Sequence, residues 1–134
     1  PVWRTMRAWP VVVLFVAPLL AGCPVTSAGS EPPDPDVLLV FHNNSGPMCL
    51  AALAWLADIG DAHPTLVIEE HLTYESGEAA RLAQYEALHS TSQGVSASFA
   101  YLPIIFYQGQ AFSGFDDETA QALEALLAAA ESGS

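Results

Sequence analysis

The chain contains no lysine. Across 134 residues, three arginines stand against fifteen aspartates and glutamates, a formal charge of −12. A surface of that sign repels nucleic acid phosphates and anionic lipid headgroups, so neither is an expected partner. Cysteine is almost as scarce, with Cys23 and Cys49 the whole supply. Two thiols so far apart exclude a disulfide-stapled scaffold, a thiolate-rich zinc site and any C-x-x-C pair. No run is long and apolar enough to span a bilayer comfortably as a helix, since the stretch from Val11 to Leu20 is only about half of the roughly 20 residues needed. Carboxylate pairs, a Ser-His-Asp set, a phosphate loop and internal repeats are all missing as patterns.

What is present begins with an address. A short basic lead at Arg7, the apolar stretch Val11 to Leu20 and then Leu20, Ala21, Gly22 and Cys23 follow one another directly. This arrangement resembles a bacterial lipoprotein signal. The resemblance implies cleavage between Gly22 and Cys23, a thioether-linked diacylglycerol on the Cys23 sulfur, acylation of the new amino terminus, and a place in the cell envelope on the extracytoplasmic side. An ordinary secretory signal cut after Ala28 is the other reading. With residues 1–22 removed, Arg81 is the one strong base left and the charge becomes 1 − 15 = −14. The membrane is then reached through the lipid on Cys23 and not through electrostatics.

Residues 23–36 read as the lipidated cysteine and a flexible tether. Proline, serine, glycine and acids dominate there, and large side chains are too few to offset the entropy of ordering. Residues 37–131 have room for one core and one domain, and 132–134 for a disordered tail.

Within that domain, strands and helices alternate. Val37 to Phe41 is a continuous apolar run, as expected of a strand buried on both faces. After a turn at 43–47, Met48 to Ile59 sets Leu50, Leu53, Ala54, Leu56 and Ala57 at helical spacing, with Gly60 as the expected stop. Thr65 to Glu69 reads as a second strand. Ser76 to His89 reads as a helix presenting Ala80, Leu82, Ala83, Ala87 and Leu88, and Gln93 and Gly94 mark a loop. Ile104 to Tyr107 and Gln110 to Ser113 form a hairpin around Gln108 and Gly109. Asp116 or Asp117 caps a last helix striped by Ala120, Leu123, Leu126, Leu127 and Ala130.

The resulting β-α-β-α-β-β-α order resembles the thioredoxin-like family over residues 37–130. Three local matches carry the resemblance: the strand, turn and cysteine-bearing helix from Phe41 to Cys49; the Leu102–Pro103 pair before Ile104; and the Gln108–Gly109 hairpin leading through Phe112, Ser113, Gly114 and Phe115 into the final helix. It implies a three-layer α/β/α domain around a four-stranded mixed sheet, a cis bond at Pro103, and a client-binding edge made by Leu102 and Pro103 with Gly46, Pro47 and His42 beside them. It implies no cofactor. Its partners are a client protein or a small thiol.

Counted from Phe41 without gaps, the first redox cysteine of the family falls on Gly46 and the second on Cys49, whereas a one-to-three-residue slip of the loop would put Cys49 at the exposed point. One sulfur forms mixed disulfides but cannot close an internal disulfide, so autonomous dithiol exchange is not expected. Three readings of this position stand: a thiol-exchange relative with Cys49 at most a single-cysteine catalyst, a peptide-binding module without catalysis, and a Cu(I) site drawing on His42, Met48 and Cys49. His63, His71 and His89 show no ligand spacing, and no metal is assigned.

Overall fold

A computed structural model of the protein describes residues 31–89 and 91–133. The signal segment 1–22, Cys23 and the tether up to residue 30 lie outside the described residues. Among those described, no helix is long and apolar enough to cross a membrane.

Eight elements follow in order: β1 (Val37–His42), α1 (Pro47–Ala62), β2 (Val67–Leu72), α2 (Glu78–Ala87), β3 (Gln93–Gly94), β4 (Ile104–Tyr107), β5 (Gln110–Ser113) and α3 (Asp117–Ser132). The strands make one mixed sheet in the order β2-β1-β4-β5-β3. β1 runs parallel to β2, from Val37 opposite Val67 to His42 opposite Leu72, and antiparallel to β4, with Phe41 opposite Ile104. The hairpin turns at Gln108 and Gly109, both with positive φ (52° and 77°), the twist that a two-residue connection between antiparallel strands favours.

Strand alternation divides the apolar side chains between two faces. Leu38 and Val40 of β1 and Ile105 and Tyr107 of β4 meet Ala52, Leu56 and Ile59 of α1 and Leu123 and Leu127 of α3. Leu39, Phe41, Ile104, Phe106 and Ala111 point the other way and pack with Leu82 and Tyr85 of α2. Phe41 organises this second face: its ring stands edge-on to Phe106 and Tyr85 and lies against the His71 imidazole at a centroid distance of 5.0 Å. Each fully buried side chain of this size contributes about 1.5–3 kcal/mol relative to exposure.

Four expectations are corrected. The sheet has five strands, because the segment expected as a loop at 93–94 pairs parallel with β5. Glycine permits this approach: a Cβ at Gly94 would stand 3.0 Å from the Thr119 hydroxyl and 3.1 Å from the Ser113 carbonyl. β2 lies at Val67–Leu72, since its register is dictated by β1 and Thr65 is spent in the preceding turn. α1 passes through Gly60 and stops at Ala62, where His63 precedes Pro64 and so disfavours helical backbone. α2 starts at Glu78, and its inward side is Glu78, Leu82 and Tyr85 while Ala80, Ala83, Ala87 and Leu88 stay exposed; the larger ring outcompetes the alanines for the core, and Glu78 is bonded to His71 and Arg81.

α3 is capped as expected. The Asp116 carboxylate accepts the Thr119 backbone N–H and the Thr119 hydroxyl, both at 2.9 Å, and Asp117 and Glu118 lie favourably at the positive end of the helix. Those bonds, the backbone one foremost, hold the Asp116 carboxyl below the usual carboxylate range. A lowered folded value means that the stabilisation is complete above the unfolded value of about 3.9 and disappears as pH falls through the folded one. Comparing urea midpoints of the parent and Asp116→Asn from pH 6 down to pH 2.5 should therefore show a parental advantage at the upper end that vanishes at the lower. An advantage independent of pH would refute the charged cap.

Candidate functional site

The ends of β1 and β2, the start of β4 and the end of β5 meet at one pole of the sheet. Every residue expected at the site, apart from Cys23, lies on the segments that leave or enter this pole.

From β1 the chain turns through Asn43, Asn44 and Ser45 to Gly46, the N-cap of α1, with Pro47 as the first helical residue, where a missing N–H costs nothing. Gly46 has φ +84° and ψ 156°, a combination open essentially to glycine alone. Space is not what demands glycine here, since a Cβ would meet nothing within 4 Å. The backbone path demands it. The residue where the resemblance sets a first cysteine is thus held in a conformation that a cysteine adopts only with strain of about 1–3 kcal/mol.

Cys49 follows in the first turn of α1 and is 2% exposed. Its burial matches the behaviour of a small core hydrophobe, while Leu50 beside it is 55% exposed. The apolar packing of α1 therefore turns the sulfur inward.

Pro103 sits on the opposite wall, buried, with a cis Leu102–Pro103 bond. A compact set of bonds fixes this wall. The Ser113 hydroxyl, fully buried at the end of β5, accepts the Tyr101 N–H at 3.1 Å and donates to the Tyr101 carbonyl at 2.8 Å. The Gly114 N–H is shared between the carbonyls of Tyr101 and Pro103, at 3.0 and 2.9 Å, and the Ser113 carbonyl accepts the N–H groups of Val95 and Ser96. Serine hydroxyls also organise the approach, Ser92 bonding the Ser96 carbonyl and accepting from the Phe99 N–H. Between a half-exposed Tyr101 and the buried Pro103, Leu102 is left over: its N–H and C=O make no hydrogen bond among the described residues.

Gly114 joins the two walls. With φ +82°, it would place a Cβ 2.6 Å from Val95 Cβ and 3.4 Å from Met48 Sδ, so Met48 of α1 and Val95 close over it. This contact brings the start of α1 to the proline loop.

His42 is the last residue of β1, one step past the Phe41–Ile104 pair. It is 3% exposed, its Nδ1 accepts the Asn44 N–H at 2.9 Å, and its Nε2 therefore carries the hydrogen offered to Glu70 at 3.2 Å. Glu70 belongs to β2, on the side of β1 away from β4, and the ring lines a recess of about 240 Å³ with Leu53, Leu72 and Glu75. The ring braces the β1 turn. Both nitrogens are engaged, and among the described residues no three side chains of His, Cys, Asp or Glu converge as metal ligands.

Val95 and Tyr101 belong to the candidate site without being marked in the sequence; Met48 is marked there only as a soft metal donor, and Ser113 and Gly114 only within the run that leads into the last helix. The short run from Phe112 to Phe115 was the only signal, a serine and glycine between aromatics at a strand end. Ser113→Ala should leave the part-buried Tyr101 N–H without its acceptor and cost about 1 kcal/mol or more in urea unfolding. A variant as stable as the parent would show that the hydroxyl does not hold the loop.

Comparison with known proteins adds nothing to this geometry: no family model, no curated protein and no solved structure matches the chain significantly.

Proposed function

We propose that this chain is a lipid-anchored envelope protein whose single domain is a thioredoxin-like fold without dithiol chemistry, serving to dock an extended segment of a client protein on the loop from Tyr101 to Pro103. The observation that carries the reading is the pairing of a Cys49 that is 2% exposed with a Gly46 whose backbone excludes a ready first cysteine. A dithiol catalyst needs an accessible thiolate at the helix start and a second sulfur to resolve the mixed disulfide. Here the one sulfur is inside, and a second at position 46 would be held under strain.

The element order, with β1 between a parallel and an antiparallel neighbour, and a proline at the head of β4, supports the thioredoxin-like assignment. Docking is supported by Leu102, whose free N–H and C=O are those that an extended partner needs for strand-like pairing. Tyr101 and Val95, 50% and 41% exposed, supply apolar surface around it.

Thiol accessibility decides between binder and catalyst. In the folded protein Cys49 should resist an aromatic disulfide reagent and become reactive only under unfolding conditions, and the protein should show no reduction of insulin disulfides. Prompt modification of native Cys49, together with turnover abolished by Cys49→Ser, would replace the docking reading with that of a single-cysteine exchange catalyst.

A further inference from the structure

Gly114 gathers the parts of the docking loop and leads into α3. Its N–H holds the carbonyls of Tyr101 and Pro103, and a Cβ on it would meet Val95 and Met48. Gly94, next to Val95, closes on the same helix start, where its own Cβ would stand 3.0 Å from the Thr119 hydroxyl. Between these two contacts come Asp116, Asp117 and Glu118, all exposed. Asp116 is committed to the Thr119 cap, but the carboxylates of Asp117 and Glu118 have no partner among the described residues. Asp117 is three residues from Gly114, hence within about 11 Å of it, and side chains at a helix start lean toward that end. Both acids favour the start of α3, and both leave a negative rim on the apolar surface of Tyr101 and Val95. No base answers them. Arg81, the one lysine or arginine among the described residues, lies on α2, which packs on the opposite face of the sheet from α3, and it is bonded to Glu78.

From this arrangement we infer that the segment docked on Leu102 is both apolar and basic: an extended stretch with an aliphatic or aromatic side chain against Tyr101, Val95 and Met48, and a lysine or arginine about three residues away to meet Asp117 and Glu118. The inference rests on the proposed docking at Leu102 and names the chemistry of its partner. The apolar part follows from the surface, since Tyr101 and Val95 both adjoin Gly114 and yet stay about half exposed. The basic part follows from the rim. An extended chain advances about 3.3 Å per residue, so three residues carry a cationic side chain across the distance from Gly114 to Asp117. An acidic segment, or a second copy of this chain with its formal charge of −12, brings the same sign to the rim and is repelled. Complementary charge in such a place governs partner choice and encounter rate more than raw affinity.

The test uses the full chain in a neutral detergent and three synthetic peptides that share one centre, valine-tyrosine-valine, and carry lysine, glutamine or glutamate on both flanks. Binding is read from the backbone amide resonances of Leu102 and Tyr101 as peptide is added up to millimolar concentration. The lysine-flanked peptide should shift both and bind about five-fold more tightly than the glutamine-flanked one, with the glutamate-flanked one weakest and the differences shrinking as salt is raised. Asp117→Asn with Glu118→Gln, which leaves the Asp116 cap in place, should reduce the lysine preference several-fold. Asp58→Asn with Asp61→Asn removes the same charge from the exposed far end of α1 and should leave the preference as it was. Equal binding of the three peptides at Leu102, or a preference that the two double variants weaken alike, overturns the charge inference while the docking reading stands. Peptides that leave the Leu102 resonance unmoved overturn both.

Discussion

The buried hydroxyl of Ser113 is the fixed point of the candidate site. It closes a two-way exchange with the backbone of Tyr101, its own carbonyl holds the amides of Val95 and Ser96, and the amide of the next residue, Gly114, holds Tyr101 and Pro103. Five backbone groups of an otherwise irregular stretch thus find partners at the end of one strand. Irregular backbone this close to the core requires such pairing, because each buried polar group left without a partner costs about 1–3 kcal/mol. The consequence is functional. When the groups on either side are satisfied internally, the free N–H and C=O of Leu102 stand out as those available to another chain.

Gly46 imposes the second constraint, on chemistry. Its backbone angles tie the β1 turn to the start of α1 in a path that glycine alone follows without strain. A cysteine at this position would therefore meet a loop whose shape is unsuited to it. Burial of Cys49 and diversion of His42 toward Glu70 agree with this, since each residue that could have served thiol or metal chemistry is engaged in packing or in bracing the turn. On the proposed reading, what the pole retains is a recognition surface.

Much of the architecture was legible because period and punctuation act locally. The apolar run of β1, the Gln108–Gly109 hairpin, the Asp116 cap and the Leu123 and Leu127 stripe all depend on residues within a few positions of one another. The misjudged elements depend on distant partners. β3 exists because Gly94 can approach both Ser113 and Thr119, the bounds of β2 are set by the register of β1, and the inward face of α2 is chosen by Phe41, Phe106 and His71 on the sheet. In the site, Gly46, Pro47, Cys49, Leu102 and Pro103 could be named from order along the chain. Ser113 and Gly114 could not, since nothing in their types reveals bonds to a loop about twelve residues upstream. Nor could the direction of the His42 ring, which follows from one backbone N–H at Asn44.

Backbone amide hydrogen exchange resolved by residue tests the central claim most directly, that the pinned segment from Tyr101 to Pro103 presents Leu102 unpaired. The amides of Tyr101, Gly114 and Val95 should exchange slowly, in step with the core strands, while the amide of Leu102 between them exchanges near the rate of an unstructured chain. Protection of Leu102 equal to that of Tyr101, or rapid exchange across all four, would contradict the account.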